Sequence, residues 1–137
     1  MQILFFGNPL IEEDALILKI IPGLREKFFE IEFIETDPTE DLTKFSRNLK
    51  IMDIVEGINE VRLLSLNNLK DFDRLIINSI YTMHDFDLSY NLKLLKKLNL
   101  IDRVQLICIP QNMSEQEALH QTQLILRKFV AQDIQGS

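Results

Sequence analysis

Short apolar runs alternate along the chain with segments in which apolar positions recur every three or four residues. Ile3-Leu4-Phe5-Phe6 is continuous and stops at Gly7-Asn8-Pro9, which predicts a central strand covered on both faces. Further strands are expected at 31–34, 49–55 and 61–66, and a late one at 104–109 stopped by Pro110. Residues 76–81 fit either a strand or a helix end. Asp37-Pro38-Thr39-Glu40 puts an Asp cap before Pro at the first helical position, with Glu three residues after the cap, and predicts a short helix to about Ser46. Ser114-Glu115-Gln116-Glu117 repeats the device and opens the longest helix, in which Ala118, Leu119, Thr122, Leu126, Phe129 and Val130 form one buried stripe. From Asp87 onward, Leu88, Leu92, Leu95 and Leu98 share one helical face, with Lys93, Lys96 and Lys97 opposite. An earlier helix from Asp14 to Ile21 is expected to break at Pro22-Gly23 and to resume, if at all, over Leu24 to Phe29. The alternation predicts a single α/β domain: a twisted, mostly parallel β-sheet with helices on both faces.

Composition narrows the function classes. A chain of 137 residues, 46% apolar and 26% charged, suits one globular domain and needs no disulfide or metal to complete its core. Fifteen basic against 21 acidic residues give a net charge of −6 with no Lys/Arg stripe, so nucleic acid is not expected as a partner. Charged or amide residues interrupt every apolar run within about 10 residues, too short to cross a bilayer. The chain opens on its first strand without a basic region or a small-residue cleavage site, so a cytoplasmic monomer is expected. Cys108 is the sole cysteine, and His84 and His120 the only histidines, which excludes an intrachain disulfide, a multi-thiolate zinc site and a three-histidine zinc site.

Ligands of open α/β sheets bind beyond the carboxyl ends of the strands, so polar residues there carry the most weight. Three places qualify: Glu12-Glu13-Asp14 after Gly7-Asn8-Pro9, Asp53 near the end of the third strand with Glu56-Gly57 beyond it, and His84 ahead of the helix that follows. Helix-dipole stabilisation, about 0.3–1 kcal/mol per acidic residue, accounts for the first group on its own. Asp53, flanked by Met52 and Ile54, is different, because a carboxylate in an apolar strand is costly to bury and a functional role weighs equally with a structural one. A lone His84 reads most simply as a polar cap, His120 as surface, and Cys108 as a small buried hydrophobe. No Gly-x-Ser-x-Gly elbow, phosphate-binding Gly-x-x-x-x-Gly-Lys or His-Glu-x-x-His motif is present.

Taken in order, Gly7-Asn8-Pro9-Leu10 with the acidic pair Glu13-Asp14, Asp53 with Glu56-Gly57, and His84 before an amphipathic helix resemble the three motifs of the hydrogenase maturation proteases. These endopeptidases trim the C-terminus of the large-subunit precursor of nickel-iron hydrogenases. The resemblance spans most of the chain and implies an α/β sheet with helices on both faces. It also implies an aspartic-type peptidase acting only after nickel insertion, with Asp14, Asp53 and His84 contacting the nickel carried by the precursor. Carboxylate and imidazole suit a divalent first-row metal.

The chain departs from the family pattern at Phe5 and Ala15, where glycine is common, and in the loop after Gly57, which lacks the usual Pro-Gly. Two other readings stay open. A homologue could bind the precursor without cutting it, since the family has no separate nucleophile whose loss would show. A receiver-like signalling domain also has acidic residues after its first strand and an Asp ending its third. Here, however, residues 7–11 intervene before the acidic pair, and Ile109 rather than Lys precedes Pro110.

Overall fold

Apolar runs become strands where both faces can be covered. In the computed structural model these are β1 (Gln2–Phe6), β2 (Glu32–Thr36), β3 (Asn48–Val55), β4 (Arg62–Leu66) and β5 (Arg103–Pro110). The structure describes residues 1–6, 15–37, 40–77 and 83–136, with side chains described at all of these except 75–77, 83–87 and 133–136. All five strands join one sheet in the order β2-β1-β3-β5-β4. β1 pairs in parallel with β2 and β3, and β3 with β5, whereas β4 runs antiparallel on the edge beside β5. The expectation of a mostly parallel sheet holds. The antiparallel edge departs from the receiver-like alternative, whose doubly wound sheet takes the order 2-1-3-4-5.

Among the described residues four α-helices cover the sheet: α1 (Ala15–Lys27), α2 (Leu69–Ile77), α3 (Met83–Lys97) and α4 (Glu115–Gly136). The two-residue period of the strands divides the core. Ile3, Phe5, Met52, Ile54, Ile107 and Ile109 pack with α1 and α4, while Leu4, Phe6, Ile51, Val55, Leu106 and Cys108 pack with α2 and α3. β2 and β3 lie on opposite sides of β1, so the chain direction across the sheet reverses there, and the crevice beyond β1 and β3 is where such sheets bind ligands.

Several expectations need correction. α1 does not break at Pro22-Gly23 but continues through both. Proline inside a helix costs about 3 kcal/mol. Burying Ile17, Ile20, Ile21 and Leu24 on either side of it outweighs that loss at about 1.5–3 kcal/mol per side chain, and Pro22 itself is exposed. Gly23 lets α4 approach, because a Cβ there would lie 3.3 Å from both terminal carbons of Leu119.

Of the helix expected from Asp37 to Ser46, residues 38–39 lie outside the described set, and the described residues 40–46 form one 3₁₀ turn, Leu42–Lys44, capped by Asp41. Asp41 accepts from the Thr43 N–H at 3.0 Å, and Glu40 Oε2 accepts from the Thr36 hydroxyl at 2.9 Å and from Lys44 at 3.2 Å.

α3 begins at Met83, earlier than expected, which places His84 inside the helix rather than ahead of it. Leu98 falls beyond the end of α3 and is 59% exposed. Asn99 at φ 58° ends that helix, with Leu100 N–H donating to the Leu95 carbonyl and Asn99 N–H to that of Lys96.

α2 is a helix that sequence reasoning missed. Asn68 Oδ1 accepts from the Asp71 N–H and Asp71 Oδ2 accepts from the Asn68 N–H in return, a reciprocal cap. It takes in Ile76 and Ile77, which settles those two of the ambiguous run as helix end. The Ser114 cap of α4 forms as expected, with the Glu117 N–H donating to Ser114 Oγ at 3.2 Å.

Candidate active site

The candidate site is built where β3 and β5 run side by side in register from Asn48↔Arg103 to Val55↔Pro110. Asp53 lies two residues before the end of β3 and is 5% exposed. Its Oδ1 accepts from the N–H of Ile54 at 2.9 Å. In register it faces Cys108 of β5, which in turn faces Arg62 of β4. A carboxylate, a thiol and a guanidinium residue thus form one row across three strands. Cys108 packs with α2 and α3, so Asp53 belongs to the same face of the sheet.

Electrostatics ties this row together. Burial pushes the Cys108 thiol from an ordinary 9.0 up to about 12, the Asp53 charge adds to the rise, and Arg62 opposes it. A thiol so protonated is no nucleophile at neutral pH, in keeping with the expectation of a buried hydrophobe. Arg62 is itself exposed and pairs loosely with Glu60 at 3.8 Å.

Beyond the strand ends, the loops 56–59 and 110–113 line an open cavity of about 700 Å³. A second cavity of about 340 Å³ shares Gln111, Asn112 and Met113 and is bounded by Ala15, Leu16 and Lys19 of α1 and by Glu115 of α4. The two cavities, here called the trough, adjoin at residues 111–113 and lead from the rim of β3 and β5 toward the first turns of α1 and α4. Its walls are fixed. Gly57 turns the first loop with φ 81°, a conformation that favours glycine. Gln121 Oε1 of α4 accepts from the Val61 N–H at 2.8 Å and holds the far end of that loop. On the other wall the Gln111 N–H donates to the Val55 carbonyl at 3.1 Å and the Met113 N–H to that of Pro110 at 3.4 Å.

Of the three residues singled out from sequence, the described side chains include Asp53 alone. Asp14 lies outside the described residues, as do Glu12 and Glu13. His84 stands in the first turn of α3, one helical turn before the buried Leu88, and its side chain is outside the described set. Among the described residues no three His, Cys, Asp or Glu side chains group to hold a metal. Glu56 lines the trough, and His120 is exposed on α4, as expected. Sequence reasoning missed Asn59, Gln111 and Asn112. The signal was available in the last two, which directly follow the final residue of β5, where the carboxyl-end rule directs attention.

Comparison with known proteins reports the fold from another direction. No family model matches the chain, and no curated protein matches it by sequence. Among solved structures it is similar to a [NiFe] hydrogenase maturation protease HybD from Thermococcus kodakarensis, with 19% identity over 94% of this chain and 99% of that one and a TM-score of 0.58. It is also similar to an endopeptidase from Escherichia coli, with 17% identity over 93% of each chain and a TM-score of 0.56. At these identities the likeness shows a shared fold. Both proteins are named as proteases, and the first by the family that the Gly7–Asp14, Asp53 and His84 motifs resemble.

Proposed function

We propose that this chain is an endopeptidase that removes the C-terminal extension of a nickel-iron hydrogenase large-subunit precursor once nickel has been inserted, acting as a cytoplasmic monomer. The observation that carries the reading is Asp53, a carboxylate buried between Met52 and Ile54 near the end of β3, beside the crevice of the sheet. It occupies the second of three motifs in a fold shared with two named proteases over nearly the whole chain. Asp14, Asp53 and His84 are assigned to contact the nickel of the substrate. No helix among the described residues is long and apolar enough to cross a membrane.

The chemistry follows from those residue types. Two carboxylates and an imidazole complete the coordination of a divalent ion held by the precursor, an interaction that an empty precursor does not offer. A carboxylate there orients or deprotonates the attacking water as a general base, and the substrate's ion polarises the scissile carbonyl. Cys108 takes no part, because its thiol stays protonated. Incubation with nickel-loaded and empty precursor is the test. Release of a C-terminal peptide from the loaded form alone is expected. Equal cleavage of both would refute recognition through nickel, and tight binding without cleavage of either would favour the non-catalytic homologue.

A further inference from the structure

The trough beyond β3 and β5 carries groups that the assignment of Asp14, Asp53 and His84 leaves unused. Asn59, Gln111 and Asn112 project from its two loops, and among the described residues none of their side-chain amides has a hydrogen-bond partner in the fold. Each carries an NH2 donor group and a carbonyl acceptor, which can pair with the C=O and N–H groups that an extended peptide backbone presents. Ile58, Pro110 and Met113 supply the apolar part of the lining.

The ligand class follows by elimination. Glu56 and Glu115 repel anions, and Lys19 is the one cation among the described lining residues, so a nucleotide or other phosphate is disfavoured. Among the described lining residues no aromatic side chain faces either cavity, so the stacking platform that sugars and bases use is not offered by them. The walls are held by the Gly57 turn and by the Gln121, Gln111 and Met113 hydrogen bonds, so a ligand meets a shape already formed. The combined cavities have the size that buries a small ligand or a short peptide.

We propose that this trough is a peptide-backbone subsite, in which Asn59, Gln111 and Asn112 hydrogen-bond an extended, uncharged stretch of the substrate. Its identification with the precursor's C-terminal extension rests on the protease reading above, whereas the chemistry of the subsite does not. Reading backbone rather than side chains makes the subsite tolerant of sequence. Its role is to hold the chain beside the rim, so Asn59, Gln111 and Asn112 are binding residues and not catalytic ones.

The test is a titration of the full chain with acetyl-pentaalanine-amide, followed by the NMR signals of the Asn and Gln side-chain amides. Progressive shifts at Asn59, Gln111 and Asn112, with none at the separate pocket beside Phe28 and Arg127, are expected at millimolar peptide. The variant N59A/Q111A/N112A should weaken binding at least about tenfold, read from the backbone amides of the trough loops, with an unchanged melting temperature because these side-chain amides have no hydrogen-bond partner among the described residues. Absence of shifts at millimolar peptide, unchanged affinity in the triple variant, or equal shifts with maltopentaose would overturn the subsite. Because the probe carries neither nickel nor a cleavage site, binding is read independently of precursor cleavage. Binding without cleavage would sink the protease reading and leave the subsite standing, and cleavage with an unaffected triple variant would do the reverse.

Discussion

The buried row of Asp53, Cys108 and Arg62 makes a measurable prediction about alkaline stability. The Cys108 thiol moves from an ordinary 9.0 to about 12 on folding, chiefly through burial and next through the Asp53 charge. The native state therefore keeps its proton where the unfolded chain loses it. Between pH 9 and 12 the unfolded state binds fewer protons, so stability falls as pH rises, by about 1.36 kcal/mol per pH unit. From the two end values the loss attributable to this one group is on the order of 3 kcal/mol at pH 11 and tends to about 4 kcal/mol at still higher pH. Below pH 9 the contribution is fully present and flat. Replacing Cys108 by Ala removes the titration along with the sulfur, whose lost packing costs about 1–2 kcal/mol at neutral pH. Urea unfolding from pH 7 to 11 should show the variant less stable at pH 7 and equal to or more stable than the parent at pH 11. The two proteins differ at position 108 alone, so the contributions of all other groups cancel in the difference. Two stability curves that run parallel over this range would refute the placement of a neutral thiol beside a charged Asp53. Asp53→Asn should shift the onset of the folded thiol's titration to lower pH.

Two further outcomes are expected. Nickel should raise the melting temperature of the parent protein but not that of Asp53→Asn, because an amide of nearly the same shape brings no charge to the ion; a shift that survives the substitution would remove Asp53 from the nickel contact. Gln121→Ala should cost about 1 kcal/mol and speed hydrogen exchange at the Val61 amide, whose acceptor is the Gln121 side chain; unchanged exchange would show that α4 does not hold the loop.

Much of the fold was legible because burial on both faces leaves a plain mark: residues 3–6 and 104–109 are nearly all apolar, and they are the heart of β1 and β5. The stripe of α4 was equally plain, with Ala118, Thr122, Leu126 and Phe129 buried on one side. Pro22 misled because local propensity was weighed without the four side chains that α1 buries around it. The Asp37 pattern misled as to the turn at 42–44, because a cap pattern recurs four residues later at Asp41, and Asp41 caps that turn. α2 was missed because its start is marked by Asn and Asp rather than by Ser and Glu.

At the site, Asp53 was conspicuous as a charge among apolar neighbours, but its row with Cys108 and Arg62 depends on register between strands far apart in sequence. The trough is likewise a product of folding, since its two loops are separated by about fifty residues and meet only because β3 and β5 end together.

The two halves of the candidate site lie differently with respect to the sheet, and this bears on how selectivity can arise. Asp53 sits on the α2 and α3 face, two residues short of the end of β3, which puts it roughly 7 Å below the rim at the rise of a parallel strand. The trough lies above the rim and leads the other way, to α1 and α4. A substrate chain seated in the trough therefore passes over the strand ends before any part of it approaches Asp53, and only a compact group such as a bound ion suits a carboxylate so enclosed. Amides that read backbone bind loaded and empty precursor alike, and such uniform binding gives no preference between them. Discrimination in the proposed reaction must then come entirely from the ion contact. A hundredfold preference for the loaded form requires about 2.7 kcal/mol from that contact, within the range of a charge-assisted interaction formed away from bulk water.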